Sequence, residues 1–136
     1  MTGSVERRRR ASVPPPSAER SDTHLPNSPA CCQVTTTLPD RAAADRIAAA
    51  LVEEGWAACA QVTGPVESTY RWQGKIERSA EWYCHLKTTL ARVPGLRSRI
   101  RELHSYDVPE IVAVRYVDGD PDYLSWIEAS VGPVGP

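Results

Sequence analysis

From Ser68 to Thr89 apolar and polar residues alternate about the dipeptide Gln73-Gly74, and a period of two predicts one long β-hairpin with its tip there. Thr69, Tyr70, Trp72 and Ile76 flank the dipeptide, and its glycine supplies the positive φ that a two-residue hairpin turn requires. On the returning arm Trp82, Cys84 and Leu86 alternate with Tyr83, His85 and Lys87, so one face of that arm lies on a core. The outer half, with Tyr70, Trp72, Lys75, Glu77 and Glu81, sets large aromatics beside charges. A two-stranded ribbon alone in water is marginal, so this half is expected to pack on another copy of the chain.

The same reading extends to both sides. Cys31 to Leu38 is short, β-branched and bounded by Pro39, which predicts a first strand. Asp40 stands as the N-cap of a helix whose Ala43, Ala44, Ile47, Ala48, Leu51 and Val52 share one face, and Gly55 closes it. A second strand starts at Trp56, runs to Val62 and is interrupted at Gly64-Pro65. With an unbroken hairpin register Ala60 would face Lys87 and Thr63 would face Cys84, which turns Ala60 and Val62 away from the core side. A one-residue bulge near Gly64-Pro65 corrects this.

Val93, Leu96, Ile100 and Leu103 recur at helical spacing and predict a second helix from Arg92 to His104, with Pro94 in its first turn. Glu110 to Val114 reads as a fourth strand, and Asp120-Pro121 opens a short last helix from Asp122 to Ser130, with Leu124 and Trp126 to pack. The order is βαββαβ plus a helix. Antiparallel strands with both crossover helices on one face make an α+β, ferredoxin-like fold with a long central hairpin and a short C-terminal helix. The other sheet face is left bare, a second argument for self-association.

A chain of 136 residues supplies one core and one domain. Residues 1–29, with four consecutive arginines, Arg7 to Arg10, and the run Pro14-Pro15-Pro16, read as a disordered basic, Pro-rich tail; residues 30–132 are the domain and 133–136 a second tail. A formal net charge of −1 makes no case for nucleic acid, the Arg run being a local feature. No apolar run has the length of a membrane span and the basic start leads into Ser and Pro, so a soluble cytoplasmic protein is expected. Cys31, Cys32, Cys59 and Cys84 lack metal-knuckle or disulfide-scaffold spacing.

Cys59, Cys84, His85 and His104 have the chemistry of copper ligands, though their spacing does not bring them together. Each has a plainer role. Cys59 and Cys84 serve on strands as small buried hydrophobes, and Cys31 and Cys32 point to opposite faces. His104 follows the last helical apolar residue, where an imidazole satisfies terminal carbonyls, yet it stands beside Tyr106 and Glu110 in a polar cluster. Tyr70 and Trp72 have the character of interface anchors. Lys75 and Lys87 are placed to pair with Glu77 or Glu81, or to bind an anion.

Six segments, Thr37-Leu38-Pro39-Asp40, Ala57-Ala58-Cys59-Ala60, Tyr70 to Glu77, Leu86-Lys87-Thr88, His104 to Glu110 and Asp122 to Trp126, together resemble the CutA family of divalent-cation tolerance proteins over about 100 residues, a domain-sized stretch. The resemblance implies a ferredoxin-like subunit in a homotrimer, the hairpin reaching a neighbour, with a shape like that of the PII signalling trimers that bind small effectors between subunits. Some bacterial members are described as binding copper through a Cys late in the first strand and two adjacent His after the second helix. Here Thr36 and Leu103 occupy two of those positions and His104 the third.

The resemblance therefore implies a non-catalytic trimer serving divalent metal ion tolerance. Copper or another divalent cation would lie at His104 and Cys59, or a small effector at Tyr70, Trp72, Lys75, Lys87, Tyr106 and Glu110. No Ser-His-Asp order, nucleophile elbow, phosphate loop or H-E-x-x-H pattern supports an enzyme with His104 as its base. A third possibility is a trimeric hub that presents its Arg-rich tails to a macromolecule.

Overall fold

The computed structural model describes residues 30–132; the two predicted tails, with the Arg7 to Arg10 run, lie outside them. The described elements are β1 (Cys31–Leu38), α1 (Arg41–Glu53), β2 (Cys59–Trp72), β3 (Lys75–Thr89), α2 (Val93–Leu103), β4 (Val112–Arg115) and α3 (Pro121–Ser130). They form one antiparallel sheet in the order β2-β3-β1-β4, the ferredoxin-like arrangement expected from the sequence.

Local chemistry sets the ends of α1. The Asp40 carboxylate accepts from the Ala43 N–H at 2.8 Å, and Gly55 ends the helix at φ 80°, a left-handed conformation that a side chain resists. Beyond it the Trp56 and Ala57 N–H groups both donate to the Leu51 carbonyl. Those two residues are thereby consumed in the helix cap, which is why β2 begins at Cys59 and not at Trp56. Ahead of α2 a 3-10 turn occupies Leu90–Arg92, so the helix itself starts at Val93 with Pro94 in its first turn. Strand β4 lies two residues later at its start than expected and ends at Arg115, whose partner in β1 is Cys32.

The core lies between the helices and one sheet face. Val34, Cys84, Leu86, Ala44, Ile47, Leu51, Leu96 and Ile100 are buried there, with Ala60 and Val62 packed against them. Those last two reach this face because of the bulge. Thr63 pairs with Tyr83 and Val66 with Glu81, so Gly64 and Pro65 together stand opposite Trp82. Ala60 then pairs with Leu86 and Val62 with Cys84, as core packing demands. A Cβ on Gly64 would sit 2.7 Å from Cδ2 of the Trp82 indole, so the bend is built on that ring.

The sheet's other face is not wholly bare. Helix α3 covers one end of it, where Cys31, Leu124 and Ile127 are buried with Ala58 and Tyr116 against them. The sequence predicted this helix but not the face it covers. Beyond the bulge, seven pairs from Val66↔Glu81 to Trp72↔Lys75 continue as a ribbon with no third strand, since β1 pairs with β3 only as far as Trp82. That is roughly 20 Å of two-stranded structure. Gln73 at φ 51° and Gly74 at φ 79° form its tip, a turn whose twist matches the strands.

Candidate functional site

The residues singled out from the sequence fall in three places. Tyr70, Trp72 and Lys75 occupy the outer ribbon, where Tyr70 and Trp72 are 42% and 44% exposed. Among the described residues Lys75 forms no ion pair with Glu77 or Glu81. Ile76 beside it is still more exposed, at 60%. The tip thus presents aromatic and aliphatic surface to solvent, flanked by charge.

The second place is the open sheet face, where strand alternation puts Gln33, Thr35, His85, Lys87, Cys59 and Val114 in register. Lys87 directs its ammonium at the Gln33 amide oxygen and the Tyr116 phenol, both at 3.5 Å. The Gln33 amide nitrogen and the Thr35 hydroxyl meet His85 Nδ1 at 3.3 and 3.1 Å. An amide nitrogen only donates, so Nδ1 accepts and the proton resides on Nε2. Burial and then the Lys87 charge hold the His85 pKa below its ordinary value, opposed by Glu110. Burial pushes the Tyr116 phenol up to about 12, so it stays neutral where it accepts from Lys87. Cys59 lies opposite Lys87 in this group.

The third place joins the end of α2 to the base of the ribbon. The Thr37 carbonyl lies 2.8 Å from His104 Nε2, and the Tyr106 N–H donates to His104 Nδ1 at 3.1 Å. The Tyr106 ring packs on the imidazole with centroids 4.8 Å apart, and its hydroxyl donates to Glu81 at 2.9 Å. Burial, and then this bond to Glu81, raise the Tyr106 pKa well above the usual phenol range. Tyr70 and Asp40 are close enough to add to that rise. Burial lowers the His104 pKa against the Thr37 and Glu81 contributions. Tyr70, Tyr106, Glu81 and His104 are therefore brought together, and Glu81 is the member whose role the sequence did not reveal.

His104 and Cys59 do not converge in the chain. His104 is tied to Thr37, whereas Cys59 lies across β3 from Gln33, four residues back along β1. The separation along the strand alone is roughly 13 Å. Thr36 is fully buried and pairs with Cys84, whose thiol burial pushes up to about 12. Such a thiol behaves as a small hydrophobe at neutral pH. Among the described residues no three His, Cys, Asp or Glu side chains are grouped to hold a metal ion. With both nitrogens of His104 already bonded, the described residues of the chain do not fit a copper site.

The comparisons agree with the fold. A family model described as CutA1 divalent ion tolerance protein matches residues 32–130. The divalent-cation tolerance protein CutA of Thermus thermophilus is 41% identical over 99 residues, covering 73% of this chain and 96% of that protein. A solved structure of a Thermus thermophilus divalent cation tolerance protein superposes with a TM-score of 0.73 at 40% identity, covering 75% of this chain and 99% of that one. A structure from Archaeoglobus fulgidus, named as a periplasmic divalent cation tolerance protein, matches at 32% identity with a TM-score of 0.73, covering 75% and 99% of the two chains. No described helix is long and apolar enough to cross a membrane.

Proposed function

The chain belongs to the CutA1 divalent ion tolerance family, and on that premise we propose that it acts as a non-catalytic homotrimer that binds a small effector or a divalent metal ion in clefts between subunits. The observation that carries this reading is the ribbon. Seven strand pairs without a third strand, ending in exposed Tyr70, Trp72 and Ile76, bury their apolar surface only against another molecule. Two further features support it. Strand β4 is an edge with Val112 and Val114 at 50% and 61% exposure, and the open sheet face is covered by α3 at one end alone.

A cleft formed by the ribbon of one subunit and the sheet face of the next would hold Tyr70 and Trp72 rings for stacking, Lys75 and Lys87 for an anionic group, and Tyr106 and Glu110 for polar contacts. This set suits a small charged organic effector better than a bare cation. A divalent ion held there, copper included, would need donors from more than one subunit, Cys59 and Glu110 among them. The free cysteines fit a reducing, cytoplasmic setting.

Light scattering on the purified, reduced full chain tests the assembly, and a mass three times that of one chain across a dilution series is expected. A monomer at all concentrations overturns the proposal. Calorimetric titration with copper(II) and zinc(II) on the same sample then separates the ligands. Stoichiometric heat assigns the cleft to a metal ion, and an intact trimer without heat assigns it to an organic effector.

A further inference from the structure

A neutral imidazole has one N–H and one lone pair, and in His104 each has a partner of fixed polarity. The Thr37 carbonyl only accepts, so His104 Nε2 carries the proton. The Tyr106 backbone N–H only donates, so it uses the lone pair of Nδ1. A metal ion takes that same lone pair. Turning the ring over would present carbon to both partners and lose both bonds. The ring is also partly withdrawn from solvent, packed on the Tyr106 ring.

We infer that His104 is a positioning residue that pins the segment after α2 to the end of β1, and that its imidazole is not a metal ligand in this chain. The bond from residue 106 back to the side chain of residue 104 closes a short turn, as an Asx side chain does when it accepts from the N–H two residues on. That turn aims the Tyr106 hydroxyl at Glu81, at the base of the ribbon. Through it the end of the second helix controls how the ribbon leaves the sheet. Any metal the protein takes up is held without this ring. The inference stands on one subunit's geometry and does not rest on the trimeric reading.

Long-range nitrogen-proton spectra of the imidazoles in the full chain, near neutral pH, test it with zinc(II) as a diamagnetic probe. The His104 ring is expected in the Nε2–H form, unchanged by zinc. Hydrogen exchange at the Tyr106 amide gives a second readout. His104→Ala is expected to speed it by about tenfold or more, and His104→Asn, whose oxygen restores the acceptor, to keep it within about threefold of the parent. Zinc moving Nδ1 into the range of a ligated nitrogen overturns the inference, as does an Asn variant that exchanges like the Ala variant. The mass by light scattering, read in the same samples, reports on assembly separately.

Discussion

The base of the sheet and the ribbon that leaves it are made from the same two strands and obey different rules. In the base, Cys84 and Leu86 are fully buried against Val34, Leu51 and Ile100, and every second residue is committed to the core. In the ribbon, the same alternation continues with no core beneath it, and the large residues Tyr70, Trp72 and Ile76 remain more than two-fifths exposed. One strand pair therefore has two characters, folding the chain in its inner half and leaving large apolar side chains exposed in its outer half. The bulge at Gly64-Pro65 is the boundary.

Substitutions on either side of that boundary are expected to act on different equilibria. Leu86→Ala, in the base, removes a fully buried side chain and should cost the subunit about 2–5 kcal/mol, read as a lower urea midpoint whatever the protein concentration. Trp72→Ala, in the ribbon, should weaken association by about 2 kcal/mol or more while leaving the dissociated subunit folded. Sedimentation across a dilution series checks this, and an unchanged trimer with a lowered subunit stability would erase the distinction between the halves.

Acid should act on His85, on the open face of the base, and on His104, beside the foot of the ribbon. The folded-state pKa values of His85 and His104 are depressed from 6.5, mainly by burial. The unfolded chain then binds more protons than the folded one, so stability is full above that ordinary value and is lost as pH falls through the folded values. Denaturation midpoints should decline as pH falls below about 6.5, and His85→Gln should flatten part of the decline. Smallest of all, Thr36→Val should stabilise the base by roughly 1 kcal/mol, because the Thr36 hydroxyl is buried with no hydrogen-bond partner. A loss of stability there would mean that the hydroxyl has a partner the structure does not show.

Elements with a strong period were legible in the sequence, and so was the bulge, because the positions of Ala60 and Val62 had to agree with those of Cys84 and Leu86. The start of β2 was not. Trp56 and Ala57 have strand-like composition, but their N–H groups are taken by the Leu51 carbonyl, a competition that pattern alone does not register. Nor was the role of Glu81 legible, since its partner Tyr106 arrives from a segment 25 residues later and no local spacing encodes that meeting. For His104 the position was readable, whereas the use of both ring nitrogens required the path of the backbone.

The two-against-one step opposite Trp82 also separates what sets the faces of the ribbon from what sets those of the body. Below the step, faces are dictated by the core; above it, by the turn at the tip. Lengthening the arm by two matched pairs would leave every inward and outward position as it was, whereas a single matched pair would turn over everything beyond it. The reach of the arm can thus change in even increments without altering the interior that folds the chain.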